Sequence, residues 1–118
     1  LEICAPWCPY CQRMQETVYA DAEVRLYLDR TFTYARLNRD TTTRSHQLSG
    51  RTLSSKQLGM VLGARGVPTL FFLKADGTPI ASQPGFIKLD IFLQLIRYVG
   101  SGAYESTSFK TFRKRSSE

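Results

Sequence analysis

The sequence predicts an α/β domain in which a central mixed β-sheet is flanked by helices on both faces. Two observations predict this class. Short apolar runs alternate with helical patterns along the chain, and the last two strands are joined by the hairpin turn Asp76-Gly77. The order is strand, helix, strand, helix, strand, strand, helix, so a β-α-β unit comes first and a β-hairpin followed by a helix comes last. The 118 residues, 42% of them hydrophobic, suffice for one compact domain.

The first half of the chain supplies the β-α-β unit. Residues 1–4 (LEIC) indicate the end of a buried strand, and Pro9 is typical of the first turn of the helix that follows. Asp21 is a typical N-cap for a second helical segment, residues 22–29. Residues 31–38 (TFTYARLN) alternate as a strand does, and we expect Phe32, Tyr34 and Leu37 to contribute to its packing.

The middle of the chain is polar. Residues 40–53 are rich in Thr, Ser and Arg and contain Gly50, which favours a surface loop. Ser54 or Ser55 then caps a helix that ends near residues 63–66. This segment is expected to connect the β-α-β unit to the final hairpin.

The last part of the chain supplies that hairpin and the final helix. Residues 69–73 (TLFFL) are a continuous apolar strand, and residues 79–82 are the returning strand. Residues 88–99 follow as a helix with apolar residues on one stripe. The residues of that stripe are Ile91, Phe92, Leu95, Ile96 and Val99.

The net charge of +6 is scattered along the chain, and only residues 113–115 (RKR) form a basic run. Nucleic-acid binding requires a clustered basic face with interleaved aromatic residues, so this class is disfavoured. No apolar run approaches the roughly 20 residues of a membrane span. Because the chain begins at Leu1 inside an apolar element, we expect an upstream segment. The sequence leaves open whether that segment includes a signal peptide or an anchor.

Three cysteines lie in residues 4–11 (CAPWCPYC), and their spacing allows two chemistries. Counted from Cys4, it is the spacing of an iron–sulfur loop in radical-SAM enzymes. Counted from Cys8, it is a two-cysteine redox centre with Cys11. A radical-SAM enzyme builds a large partial barrel around its cluster, which 118 residues do not supply. We therefore interpret Cys4 as a small core residue. His46 has no ligand spacing to the cysteines, so we expect it at the surface without a role, and we expect no metal and no cofactor.

Three motifs, in this order, resemble the thioredoxin superfamily. Residues 5–8 (APWC) are similar to the active-site segment common in protein disulfide isomerases. Residues 35–40 (ARLNRD) are similar to the A-K-L-N-x-D of thioredoxins, and residues 65–70 (RGVPTL) to their R-G-[IV]-P-T-L. The resemblance implies a thioredoxin fold and thiol–disulfide oxidoreductase activity.

Two departures from a minimal thioredoxin lie between Asp40 and Gly66, where the chain is longer, and after Val99, where a tail continues. Both resemble the SoxW-like periplasmic thioredoxins of bacterial sulfur oxidation, which end in a stretch similar to residues 100–104 (GSGAY). This closer resemblance implies an exported, periplasmic protein. We expect residues 1–104 to form the thioredoxin-like domain.

The remaining residues, 105–118, are expected to form a basic C-terminal extension without catalytic duty. The segment has too little apolar surface to fold alone. Phe109 and Phe112 lie three residues apart, so they are expected to anchor it to the domain as one turn of helix.

The resemblance assigns roles to the two redox cysteines. Cys8 is the attacking thiolate, because the unpaired N–H groups and the positive dipole end of a helix stabilise an anion. Cys11 then attacks the mixed disulfide and releases the client. Glu2 matches the buried acid of the family, which takes a proton from Cys11 and returns it. Exposure at a frayed strand end is the alternative for Glu2. Arg36 aligns with a lysine that modulates this acid, and it fits an exposed strand position equally well.

The resemblance also implies a substrate-binding surface. Pro68 is expected to be a cis-proline that faces the dithiol and exposes the backbone of Val67 to an extended client. Gly85 is either the small residue that lets a client approach or a simple turn glycine. The flat apolar collar of the site is expected to consist of Trp7, Pro9 and Tyr10.

The expected function is reduction of disulfides in exported client proteins by a monomer that a membrane-embedded electron donor keeps reduced. The alternative class is a binding or chaperone module that uses the Val67-Pro68 groove while the dithiol is idle. A disulfide oxidase or isomerase is a further alternative. Pro9-Tyr10 is a pair typical of glutaredoxins, whereas Val67 before the proline is typical of strong oxidases.

Overall fold

The computed structural model describes residues 1–116. The strands are β1 (Glu2–Cys4), β2 (Arg36–Asn38), β3 (Ser45–Leu48), β4 (Arg51–Ser54), β5 (Thr69–Leu73) and β6 (Pro79–Pro84). The helices are α1 (Pro9–Met14), which continues as a π-helical segment (Gln15–Tyr19), α2 (Ala22–Thr31), α3 (Ser55–Leu62), α4 (Leu89–Gly100), a short 3-10 helix (Ala103–Glu105) and α5 (Phe109–Ser116). The chain divides into two compact units, one of residues 1–14 and 34–86 and the other of residues 15–33 and 87–116.

In the first unit, four strands form a mixed sheet in the order β2-β1-β5-β6. β1 is parallel to β2, with Ile3 opposite Leu37, and antiparallel to β5, which is antiparallel to β6. All residues of β1 and the first four of β5 are buried, because these are the inner strands. The strand order and directions confirm the predicted α/β class and place the end of β1 next to β5.

The predicted surface loop over residues 40–53 is wrong, because most of this segment forms the hairpin β3–β4. Ser49 and Gly50 form its turn with φ of 49° and 78°, the left-handed conformation that suits the twist of a two-residue hairpin. Leu53 is 6% exposed and packs in a core cluster with Ile3. A few apolar residues in a polar segment were therefore enough to hold a strand pair against the core.

β2 is shorter than the predicted strand of residues 31–38. Its partner β1 has only three residues to pair with, so the ladder covers Arg36–Asn38 alone. Thr31 belongs instead to α2, and the N–H of Phe32 ends that helix with a hydrogen bond of 2.9 Å to the Leu28 carbonyl. Within β2, Leu37 is buried and packs in the core, as predicted.

α3 has the predicted start and stop signals. The Ser54 hydroxyl accepts a hydrogen bond from the Gln57 N–H, and the Gln57 side chain accepts one from the Ser54 N–H, which is a capping box. Gly63 ends the helix with φ of 87°. The expected surface position of His46 is corrected, because His46 is half-buried and its Nε2 lies 2.7 Å from Oγ of the buried Ser55. This contact joins β3 to the start of α3.

In the second unit, α4 packs through the predicted stripe. Phe92, Leu95, Ile96 and Val99 are buried, and Ile91 is half-buried. The Phe92 ring meets Tyr19 edge-on with ring centroids 5.2 Å apart. Glycine fits the end of the helix, since a Cβ on Gly100 would lie 2.7 Å from the Tyr27 hydroxyl and 2.8 Å from Cγ2 of Thr31 and would force these side chains to shift.

The C-terminal segment is anchored as predicted. The ring of Tyr98, on α4, lies 5.3 Å from Phe109 and 5.4 Å from Phe112 between centroids. The helix α5 is longer than the single turn that the sequence predicts. None of the helices within residues 1–116 is long and apolar enough to cross a membrane.

Candidate redox site

Cys8 lies where the chain leaves β1 and enters α1. Its N–H donates to the Ala5 carbonyl at 3.1 Å and its carbonyl accepts from the Gln12 N–H at 3.2 Å, so Cys8 is the N-cap residue. Its Sγ accepts a hydrogen bond of 3.1 Å from the Cys11 N–H. The sequence produces this geometry because Pro9 has no N–H and fits the first helical position. The Cys11 N–H and the positive end of the helix dipole therefore face Sγ of Cys8.

The segment before β5 forms the opposite side of the site. The Val67–Pro68 peptide bond is cis, and the Val67 carbonyl oxygen lies 3.5 Å from Sγ of Cys8. The N–H of Gly85 donates to the Pro68 carbonyl at 2.7 Å. A Cβ on Gly85 would meet nothing within 4 Å, whereas its φ is 81°, so the turn conformation is what favours glycine there.

Cys11 lies one turn into α1 and is 3% exposed. Burial first, and the Cys8 side chain next, raise the pKa of the Cys11 thiol, whereas hydrogen bonds with the Ala5 backbone and the Cys4 side chain act in the opposite direction. Within the described residues all three cysteines are free thiols. Cys11 is therefore protonated at neutral pH, and it must lose this proton before it can attack a disulfide.

Glu2 and Cys4 lie on the same side of β1, two residues apart. Glu2 is 1% exposed, so the frayed-end alternative is wrong and the predicted burial is confirmed. The Cys4 thiol is also buried, as predicted, and it donates a hydrogen bond of 2.9 Å to Oε1 of Glu2. Cys4 therefore does more than fill space, because it supplies a donor to the buried carboxylate.

The other carboxylate oxygen of Glu2 faces β2 and the residues before it. The Tyr34 hydroxyl donates to Oε2 of Glu2, and Nε of Arg36 lies 3.7 Å from the same oxygen. Burial and the Glu2 carboxylate raise the pKa of Tyr34. Sequence reasoning assigned Tyr34 to packing and missed this bond. The spacing of Tyr34 and Arg36 could have indicated this bond. Residues two apart lie on the same side of an extended chain, so Tyr34 lies on the side of Arg36.

Trp7, one of the predicted collar residues, is 59% exposed. Its indole Nε1 donates to Oδ2 of Asp40 at 3.0 Å, and the Arg39 guanidinium lies 4.9 Å from the ring centroid. The Trp7 hydrogen bond is the largest cause of a lowered pKa at Asp40. Sequence reasoning did not connect Arg39 and Asp40 with Trp7, although both lie in the motif ARLNRD.

The rest of the collar is exposed as well. Pro9 and Tyr10 lie at the surface, and the Tyr10 ring is 6.4 Å from that of Phe86 between centroids. The Arg13 guanidinium lies 5.3 Å from the Phe86 centroid. Together with Trp7, which precedes α1, these side chains form an aromatic and cationic rim in which Phe86 is half-buried. The sequence did not predict Phe86 as part of it.

Within residues 1–116, no group of three or more His, Cys, Asp or Glu side chains could hold a metal ion.

A family model for the thioredoxin-like domain matches residues 3–100. The chain belongs to the thioredoxin-like domain family. The match spans the dithiol, the cis-proline segment and α4, and it supports a redox role for the thioredoxin-like chain. A search of curated protein sequences gives no match.

Two solved structures share the fold. A thioredoxin-fold protein from Helicobacter pylori is 20% identical, with a TM-score of 0.86 over 97% of this chain and 80% of its own. A thioredoxin from Thermus thermophilus is 27% identical, with a TM-score of 0.64 over 83% of this chain and 69% of its own. Both confirm that this thioredoxin-like chain has the thioredoxin fold.

Proposed function

We propose that this thioredoxin-like chain reduces disulfide bonds of client proteins. The observation that carries the proposal is the position of Cys8, whose Sγ caps α1 through the Cys11 N–H at 3.1 Å and lies 3.5 Å from the Val67 carbonyl. The helix terminus stabilises the thiolate, and the Val67 backbone beside it offers strand-like pairing to an extended client. The neighbour from Thermus thermophilus is itself a thioredoxin.

The reaction has two steps. The Cys8 thiolate attacks a client disulfide, forms a mixed disulfide and expels one client thiolate. Cys11 then loses its proton and attacks Sγ of Cys8, which forms the Cys8–Cys11 disulfide and releases the second client thiol. A separate electron donor must return two electrons to the chain before the next cycle.

Insulin reduction in the presence of dithiothreitol tests this proposal. We expect Cys8→Ser to abolish turnover, because the nucleophile is lost, and Cys11→Ser to accumulate mixed disulfides with clients, because the resolving thiol is lost. The matched control is the double variant Cys8→Ser/Cys11→Ser, which should trap no client. Normal turnover in Cys8→Ser would contradict the mechanism. An inactive wild-type chain that still binds clients would favour the binding or chaperone alternative.

The proposal also covers the direction of electron flow and the location of the protein. We propose exported clients and a membrane-embedded donor, since the longer middle segment and the tail resemble those of periplasmic thioredoxins. Equilibration of the Cys8–Cys11 pair with glutathione gives its reduction potential. Potentials in this superfamily run from about −270 mV for thioredoxin to about −120 mV for DsbA. A value near the upper end would favour an oxidase and contradict the proposed direction.

A further inference from the structure

The proposed reaction requires a proton acceptor inside the protein. Cys11 must lose its proton before it attacks the mixed disulfide, yet it is 3% exposed and the pKa of its thiol is raised. Glu2 is also buried, at 1% exposed, and its Oε1 accepts its hydrogen bond from Cys4. The thiol of Cys4 therefore contacts the Glu2 carboxylate directly. A proton that leaves Cys11 needs a path to this carboxylate.

Cys4 is in contact with both groups. Its Sγ donates to Oε1 of Glu2 at 2.9 Å, and the Cys11 side chain lies in the same buried cluster, where its interaction with Cys4 shifts the pKa of both thiols. Cys4 is 6% exposed and belongs to one buried cluster with Ala5, Cys8 and Cys11. Cys11, Cys4 and Glu2 thus form a continuous buried row of two thiols and one carboxylate.

We propose that Cys4 relays the proton between Cys11 and Glu2 during thiol–disulfide exchange, an inference that rests on the proposed function. The S–H bond of Cys11 breaks and its proton binds Sγ of Cys4. The original S–H bond of Cys4 breaks and that proton binds Oε1 of Glu2. Cys11 is left as a thiolate, which attacks Sγ of Cys8 and expels the client thiolate. The reverse transfer returns the proton to Cys11 when the Cys8–Cys11 disulfide is reduced again.

A relay fits Cys4 better than a nucleophilic role. Burial first, and the hydrogen bond to Glu2 next, raise the pKa of the Cys4 thiol, so Cys4 keeps its proton and is a poor nucleophile. A thiol that both donates and accepts a hydrogen bond is suited to pass a proton on. The hydrogen bond with the Cys4 side chain also lowers the pKa of Cys11, which is the direction that a donor to the Cys11 thiolate produces.

Charged and titratable groups face the row from two sides. Oε2 of Glu2 faces the Tyr34 hydroxyl and Arg36. Oε1 faces Cys4. On the other side, Cys11 faces Cys8. The two oxygens of the Glu2 carboxylate therefore have different partners. Oε2 contacts β2 and the residues before it, whereas Oε1 contacts the Cys4 thiol.

Stopped-flow reaction with an aromatic disulfide reagent that releases a coloured thiolate tests the relay. The first release reports attack by Cys8 and depends on reagent concentration. The second release reports attack by Cys11 and is independent of it. We expect Cys4→Ala to slow the second release at neutral pH by about tenfold or more and to move its pH profile upward. The first release should change by less than about twofold, because a relay acts only on Cys11.

Cys4→Ser is the decisive companion variant, because a hydroxyl also donates and accepts a hydrogen bond. We expect it to restore the second release to within about threefold of the wild type, since only packing and polarity of the thiol are changed. Val24→Ala, which loosens the fully buried core elsewhere, is the matched control and should leave both releases unchanged. Equal slowing in Cys4→Ser and Cys4→Ala, or a normal second release in Cys4→Ala, would overturn the relay.

A double-mutant cycle combines Glu2→Gln with Cys4→Ala. The test then does not depend on whether either single variant also loses stability. If Glu2 acts through Cys4, Glu2→Gln should slow the second release in the wild type but add little in the Cys4→Ala background. Fully additive effects would overturn the relay. Failure of the proposed function is distinguishable, because a wild-type chain without any second release has no working dithiol.

Discussion

Trp7 shows how single contacts order the exposed part of the site. It is the only tryptophan of the chain, and 59% of it is exposed beside Cys8. Its ring is held from two sides by the Asp40 carboxylate and the Arg39 guanidinium. The hydrogen bond joins the rim of the site to the loop after β2 and places the indole beside a titratable carboxylate.

Protonation of Asp40 should change the tryptophan emission at acidic pH. The hydrogen bond from Trp7 lowers the pKa of Asp40, so the carboxylate stays charged to lower pH than an ordinary aspartate. We therefore expect a fluorescence transition with a midpoint below about 3.9, measured on the reduced protein. Circular dichroism at the same pH values shows whether the domain is still folded.

The control for this titration is a second aspartate. The pKa of Asp76 is also lowered, through its hydrogen bonds with Thr78. Asp40→Asn should remove the transition, whereas Asp76→Asn should keep it. A midpoint at or above about 3.9 in the folded wild type would contradict the assigned contact.

At the scale of elements, α5 illustrates a helix ordered by its partner. It has eight residues, none of them buried, and isolated helices of this length are marginal in water. Tyr98 on α4 contacts both of its phenylalanines and also donates a hydrogen bond to the Thr107 carbonyl. The order of α5 therefore depends on aromatic contacts with α4.

Removing these contacts should cost stability and leave activity intact. We expect Phe109→Ala and Phe112→Ala each to lower the free energy of unfolding by about 1 kcal/mol in urea, the size of one aromatic pair. Lys110→Ala, on the exposed side of the same helix, should have almost no effect. Deletion of residues 105–118 should lower the melting temperature modestly at unchanged insulin reduction. Loss of turnover in a folded deletion variant would assign the segment to client or donor recognition.

At the scale of the whole molecule, burial keeps two thiols neutral. The pKa values of Cys4 and Cys11 are raised, in both cases mainly by burial. In the unfolded chain these thiols ionise near a pKa of about 8.5. Above that pH the unfolded state binds fewer protons than the folded state, so the free energy of unfolding must fall as pH rises. The stabilisation is complete below the unfolded pKa and is lost progressively above it.

The reduced protein should therefore become less stable in alkali. We expect the urea midpoint to fall between pH values of about 7.5 and about 9.5 in excess reductant, since the unfolded thiols ionise in that range. Cys4→Ala removes one of the two thiols with a raised pKa, so its midpoint should fall less steeply over the same range. Equal slopes in the two proteins would show that Cys4 is not held neutral by the fold.

The local parts of the fold and site could be predicted from the sequence. Cys8, Pro9 and Cys11 form a dithiol at a helix start because capping and the geometry of proline depend on adjacent residues alone. The capping box at Ser54 and the turn at residues 76–77 are local in the same sense. The hairpin of residues 45–54 was missed because its turn and its few apolar residues are weak signals until the core they pack against is known.

What the sequence alone determined is thus the α/β class, the order of the main elements, the helix start and the pair of cysteines. The tertiary structure decided which distant side chains meet there. The parallel register of β1 and β2 brings Arg36 opposite Glu2, and the same strand pair brings Tyr34 to the carboxylate. The packing of α1 on β1 places Cys11 against Cys4. These contacts depend on strand register and on burial of the whole core, neither of which is specified by the neighbouring residues in the chain.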